Sequence, residues 1–416
     1  MTLSHTQRET VLAKIQRLVS EKYFDPHFDE AVWKGIVDNH RRTVVEVKTE
    51  TEFEGAVAAM LAEMAPSPLA LLSKRTLIAP PNAINASFSV QSIGGEPHWV
   101  FKDILPGGVA ARAGVNAGDV LLSIGGKRVR PSLSDGAPAA PSFEMRHEFS
   151  VDVLRGNPPQ ELTLALKTAI PKYKDNPYSE PAALSTGAQN GNIAYLRVSL
   201  FPGAIGIDFA NELDSIFAGR LKNADRLIID MRGNPGGGIG GLTLMSYLTP
   251  DRCPIGYSKS REMALSNTSP ESLPVFDRVP RSKLALPVLV FKFLGKTSIF
   301  LYTEALGKRD WHGRTAILVD ENTAGAAEMV AQFAQENHLA TIVGMKTPGR
   351  LVTRRASKLG FGYRLVIPIA AYVSAKGTQI EGRGITPDIS IPWSAADASA
   401  GIDRQLSGAV EVLRAA

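Results

Sequence analysis

A single cysteine, Cys253, stands among the 416 residues. No intrachain disulfide and no cysteine-based zinc cage can form, and a reducing compartment is expected. No run reaches the ~18 apolar residues that a membrane-crossing helix needs. Residues 1–24 are amphipathic from their first turn and lack the apolar segment of a signal peptide. Together these absences predict a cytoplasmic protein, or a periplasmic one if a leader has been removed. The formal net charge of +5 is not gathered into any Lys/Arg block, so charge gives no reason to expect a nucleic-acid partner. Seven histidines are scattered without metal-ligand spacing, and neither a metal nor a cofactor is expected.

What is present is ordinary globular material. Apolar residues make up 44% and charged residues 21%, enough to build packed cores and to exclude a disordered or fibrous chain. The 37 glycines and 27 prolines supply turns. Residues 1–75 read as a helical domain. Thr6 with Glu9, and Thr51 with Glu54, have the spacing of capping boxes. Val11, Leu12, Ile15, Leu18 and Val19 fall on one helical face. From 76 to 170 the period changes to the alternation of short β-strands, as in ASFSVQSI, HWVFKDIL, EFSVDVL and LTLALKT. From 171 to 395 strands alternate with helices, which predicts a largely parallel sheet with helices on its faces. IAYLRVSL, RLIIDM, LPVLVFKF, TAILVD, ATIVG and YRLVIPIAAYV are the expected strands. Residues 396–416 end in a helix.

Within the β region, ILPGGVAARAGVNAGDVLLSIGGKRV runs strand, turn, Ala-rich helix, Gly-Asp turn, strand, Gly-Gly turn. This order resembles a PDZ domain. The resemblance implies that an extended peptide adds as a strand beside Val120, Leu121, Leu122, Ser123 and Ile124. A small β-barrel without a ligand is the plainer alternative.

The strongest local signal is Asp230-Met231-Arg232-Gly233-Asn234-Pro235-Gly236-Gly237-Gly238, between an apolar strand and a helix. Glycines there let the backbone approach a ligand and turn its N–H groups toward a phosphate or a developing oxyanion. The run lacks the Lys-Ser/Thr of a phosphate-binding P-loop and the spacing of a dinucleotide fingerprint. Taken with LVDENTAGAAEMVAQFAQENHLATIVGMKTPGR and QIEGRGITPDISIP, it resembles the C-terminal-processing (tail-specific) protease and tricorn-core family of serine peptidases. Helical cap, PDZ-like domain and βα domain also follow the order of that family. The resemblance implies an α/β protein with a ClpP/crotonase-like catalytic domain, acyl-enzyme chemistry and protein or peptide C-terminal segments as partners.

The residues depart from the family pattern where chemistry is expected. The serine position, three residues before Glu328, is Gly325, which has no side chain to attack a carbonyl. The tail-specific lysine position is Arg350, whose guanidinium carries donors and no acceptor. The tricorn-type Ser-His pair aligns with Ser67-Pro68, and Pro68 offers no acid–base group. The amides of Gly236, Gly237 and Ala326 are the expected oxyanion-hole donors. Glu381 matches an acidic residue near the end of the domain, and Glu328 reads as a carboxylate at a helix start. Thr323, Ser67 and Cys253 are weak substitutes for the nucleophile. Three readings follow: a protease scaffold that binds segments with lost or altered cutting, an active serine endopeptidase with an unusual or engineered site, and small-molecule chemistry on the crotonase-like amide pair.

Overall fold

The protein is described here by a computed structural model covering residues 3–64, 69–132, 140–168, 179–189, 192–307 and 311–415. Ser67 and Pro68 lie outside the described residues. Three sheets of six strands organise the described residues. In the central sheet, Ile193–Val198, Arg226–Asp230, Arg314–Val319, Thr341–Gly344 and Ile389–Ser390 run parallel, and Leu184–Gln189 closes one edge antiparallel. Successive side chains of a strand point to opposite faces. Accordingly Leu227, Ile229, Ile317 and Val319 pack into the main core with the helices Ile207–Ala218, Gly241–Tyr247 and Ala326–Glu336. Ile228, Ala316, Leu318 and Val343 face the C-terminal helix Arg404–Arg414. Burial on both faces explains why these strands read as unbroken apolar runs.

A second sheet is built on the long strand Tyr363–Ser374, which pairs antiparallel with Val352–Gly360, Pro254–Lys259 and Ala70–Leu72. The N-terminal helices His5–Lys22, Glu30–Glu46 and Glu50–Ala62 bury Val11, Leu12, Ile15, Trp33, Phe53 and Met60 against its Leu359, Tyr363, Leu365 and Ile367. Phe53 meets Tyr363 edge-on at 5.4 Å between ring centroids. The capping boxes sit two residues earlier than their spacing suggests. Ser4 pairs with Gln7 and Thr49 with Glu52; each helix begins at the first residues that satisfy the reciprocal pattern, which leaves Thr6 and Thr51 inside it.

The third sheet has the order Ala86–Ile93, Glu96–Ile104, Val120–Ile124, Glu148–Arg155, Gln160–Lys167. Here the expectation of strand addition beside Val120–Ile124 is corrected. Val120 and Leu121 pair with Val100 and Trp99 on one side, and Ser123 and Ile124 with Arg128 and Lys127. The other side is paired with Val151–Leu154, and the carbonyl of Leu122 accepts from the Val129 N–H. No free edge is left for a peptide; the outer strands of this sheet are Ala86–Ile93 and Gln160–Lys167.

A second correction concerns LPVLVFKF, which forms the helix Leu286–Phe293 rather than a strand. Pro287 lies in its first turn, where the missing N–H costs nothing, whereas a central strand would lose a ladder bond.

Because the cap and the second sheet share one core, Phe53→Ala is expected to destabilise the protein by about 3–5 kcal/mol, read as a lowered thermal midpoint. A change smaller than about 1 kcal/mol would show that the helices are only loosely applied.

Candidate active site

The parallel strands Arg226–Asp230 and Arg314–Val319 lie side by side, with Asp230 opposite Leu318. The Gly-rich loop after the first and the turn 320–325 after the second therefore emerge together at the carboxyl end of the sheet, where open α/β sheets place their ligands. Asn234 organises the loop. Its Nδ2 donates to the Val198 carbonyl at 2.9 Å, its Oδ1 accepts the Gly236 N–H at 2.8 Å, and its own carbonyl accepts the Ala324 N–H at 2.8 Å. The Gly236 carbonyl accepts from the Phe201 N–H at 3.0 Å, and the Gly238 N–H donates to the Phe201 carbonyl at 2.9 Å.

Gly325 sits directly before the helix Ala326–Glu336 with φ 61° and ψ −126°, a backbone conformation that side chains rarely adopt. The Gly236 backbone packs against it. A Cβ built on Gly236 would stand 2.8 Å from the Ala324 carbonyl oxygen and 3.0 Å from the Ala326 nitrogen. A Cβ on Gly325 would instead meet its nearest neighbours, the Gly236 Cα and the Pro235 oxygen, at 3.3 and 3.5 Å. A side chain here would press on the Gly236 backbone and be strained by the positive φ, although it would be less crowded than one on Gly236. Of the three amides expected to face this space, that of Gly236 is already spent on Asn234. Gly237 follows with φ 134°, and Ala326 opens the helix.

Beneath the turn lies Glu328, fully buried. Its Oε1 accepts from Thr347 Oγ1 at 2.6 Å and the Gly349 N–H at 2.7 Å; its Oε2 accepts from the Arg350 N–H at 2.8 Å and the Gly325 N–H at 3.1 Å. Burial pushes its carboxyl up, against the opposing pull of these four donors. Glu328 is therefore more than a helix-start carboxylate: it fastens the segment 347–350 under the turn. That segment in turn holds the closing loop, since the Ile385 N–H donates to Thr347 Oγ1 at 2.7 Å and the Gly382 N–H to the Gly349 carbonyl at 2.8 Å. In this way Arg350 lies at the turn, its carbonyl oxygen 3.8 Å from a Cβ built on Gly325, and Glu381 directly precedes the Gly382 that is bonded to Gly349. Thr323 is committed elsewhere: its hydroxyl donates to the Met231 carbonyl at 2.9 Å and accepts from the Asp320 N–H at 2.9 Å. Cys253 lies apart, next to Thr303 and Thr249.

Two clusters of charge support the loops, and the sequence reading missed both. Asp230 is buried among Arg197, Arg232 and Tyr195 at 2.7, 2.6 and 2.8 Å. Burial opposes its charge, but the two guanidinium groups hold its carboxyl well below the usual range. Arg232 also reaches Asp403 at 2.8 Å, tying the Gly-rich loop to the C-terminal helix. On the other side, Lys102 of the PDZ-like sheet extends a fully buried ammonium to Asp320 at 3.0 Å and Glu321 at 2.5 Å. Asp320 Oδ1 accepts the Gly233 N–H at 2.9 Å. Asp103 accepts from Ser87 Oγ at 2.5 Å and Asn322 Nδ2 at 3.2 Å. Burial and the neighbouring Asp320 push its carboxyl up to about 7. Burial also works against ionised Asp320, but Lys102 and the hydrogen bonds from Asp103 and Gly233 bring it down to about 2. The available signal was the charged pair Lys102-Asp103 inside the otherwise apolar run HWVFKDIL.

This geometry agrees with comparisons to known proteins. Residues 192–391 match peptidase family S41, and residues 100–136 match the PDZ domain family. Residues 192–391, just under half of the chain, form a peptidase family S41 domain. It is 24% identical over 396 residues to a carboxyl-terminal-processing protease of Picosynechococcus sp., covering 94% of this chain and 84% of that protein. The chloroplastic carboxyl-terminal-processing peptidase 3 of Arabidopsis thaliana is 22% identical over 437 residues, covering 99% and 74%. Among solved structures, the photosystem II D1 C-terminal processing protease superposes with a TM-score of 0.56 at 17% identity, covering 98% of this chain and 97% of its own. Mature CPAF complexed with lactacystin gives 0.53 at 14%, covering 98% and 97%. These superpositions establish a shared fold: an α/β protein joining a helical N-terminal region, a PDZ domain and an S41 peptidase domain.

Two outcomes are expected from these buried charges. Glu328→Gln turns one acceptor oxygen into a donor facing N–H and O–H donors and costs about 2 kcal/mol or more, seen as a lower thermal midpoint. Asp103 binds its proton more tightly when folded than the ordinary carboxyl of the unfolded chain does. It therefore opposes folding increasingly as pH rises from about 4 to about 7. Asp103→Asn should accordingly raise stability at pH 8 and lose that advantage below about pH 4, as measured by denaturant titration at the two pH values.

Proposed function

We propose that this S41-domain protein holds an extended peptide or protein segment in the cleft beside Gly325 without cutting it by the serine mechanism of that family. The single observation carrying this reading is the turn at Gly325. At the position where the resembled family carries its serine, it has a positive-φ backbone packed on Gly236 and bears only hydrogen. With no hydroxyl or thiol at that point, acyl-enzyme formation has no attacking atom. Arg350 at the base position presents only donors. The amides of Gly237 and Ala326 remain suited to receive a carbonyl oxygen of a bound chain. The relatives are named for carboxyl-terminal processing, and a protein C-terminal segment is the corresponding ligand here. Rate enhancement left by positioned amides and binding alone is about 10³–10⁴ over water, far short of ordinary proteolysis.

A fluorophosphonate probe should leave the protein unlabelled. The Gly325→Ser, Arg350→Lys double variant restores hydroxyl and amine together; it should take up the probe at residue 325, at a cost in stability of about 1–3 kcal/mol for side-chain strain in the turn. Mass spectrometry of the labelled peptide decides the matter. Labelling of any side chain in the unmodified protein would sink the non-cutting reading.

A further inference from the structure

The helical projection 283–294 is the part of the molecule least explained by the site. The turn Lys283–Ala285 runs directly into the helix Leu286–Phe293. Leu289 and Phe293 pack inward against the main core. Leu284, Val288, Val290, Phe291 and Leu294 are left 90, 73, 56, 83 and 70% exposed. Leu284, Val288 and Phe291 follow the i, i+4, i+7 spacing of one helical face, and Leu294 continues it beyond the helix end. An apolar row of this kind marks a surface that is covered in use.

Charge narrows the choice of what covers it. Residues 278–303 contain Arg278, Arg281, Lys283, Lys292 and Lys296 and no Asp or Glu, so this stretch carries as much excess charge as the whole chain's +5. Arg278 and Arg281 reach back to Glu304, and Arg281 also to Asp214. Lys283 lies 3.5 Å from the exposed Asp208. Lys292 and Lys296 are exposed on either side of Leu294, and Lys292 stands 5.3 Å from the centroid of the Phe293 ring.

We propose that this ridge docks the protein peripherally on an anionic lipid bilayer. Leu284, Val288, Phe291 and Leu294 enter the boundary between headgroups and acyl chains, and Lys292 and Lys296 meet lipid phosphates. Short basic amphipathic helices bind membrane surfaces by this combination of buried apolar area and attraction to anionic lipid. A second copy fits the same ridge poorly. A two-fold contact would set its lysines against their own counterparts, and like charges facing each other across an interface oppose association. Among the described residues no helix is long and apolar enough to cross a membrane, so the attachment is to the surface.

The test is co-sedimentation of the full chain with vesicles of phosphatidylcholine alone and of phosphatidylcholine with one third phosphatidylglycerol. Binding is expected to the anionic vesicles, to weaken with salt, and to be slight on the neutral ones. Phe291→Asp should abolish it, and Lys292→Glu with Lys296→Glu should weaken it by roughly 30-fold or more, with circular dichroism unchanged in both. Absence of binding to anionic vesicles, or undiminished binding of Phe291→Asp, overturns the proposal and leaves the ridge to a protein partner. A dimer in light scattering that Phe291→Asp returns to monomer assigns the ridge to a second copy instead, and overturns it equally.

Discussion

One buried carboxylate holds the candidate site together. Glu328 accepts four hydrogen bonds from two segments, the turn before its own helix and the residues after strand Thr341–Gly344, and the second of these holds the closing loop through Thr347. Each of these segments has backbone N–H groups that burial would otherwise leave unsatisfied. A charge enclosed by donors is a stable solution where an apolar side chain would orphan all of them at once. The position of Arg350 and the attachment of the 380–385 loop to residues 347–349 follow from this arrangement.

The PDZ-like sheet is joined to the loops of the candidate site in a comparable manner. Lys102 and Asp103 leave a strand whose other side chains build that domain's core and meet Asp320 and Asn322 beneath the Gly-rich loop. Separating the two units would strand an ammonium and a carboxylate that are both fully enclosed, a cost of several kcal/mol for each ion left unpaired. Strand Glu96–Ile104 thus reaches Gly233 in two ways, through the Lys102–Asp320 pair and through the direct packing of Asp103.

Much of the architecture was legible in the sequence because periodicity reports burial. The parallel strands, the alternating β runs and the N-terminal helices all follow from it. The helix Leu286–Phe293 did not, since an apolar run of eight residues reads as a buried strand until Pro287 is weighed, and its exposed face contradicts the rule that such runs are inside. The paired state of Val120–Ile124 was also hidden. Strand order is a long-range property, and local sequence shows that a strand exists but not what lies on either edge. At the site, Gly325, the Gly-rich loop and Glu328 were found by pattern. Asn234, Asp320 and Lys102 were not, because their importance comes from partners up to 219 positions away.

The crowding around Gly236, Gly237 and Gly238 separates the persistence of a signature from the persistence of a reaction. A methyl group on Gly237 would overlap the Phe201 carbonyl, and one on Gly238 the carbonyl of Gly203. These positions are fixed by packing whatever the cleft does. A descendant freed from catalysis could shed its hydroxyl in one step, while the glycines beside it would remain locked by the demands of folding. In such lineages the glycine motif is a fossil of shape, and only the neighbouring turn records whether the chemistry survives.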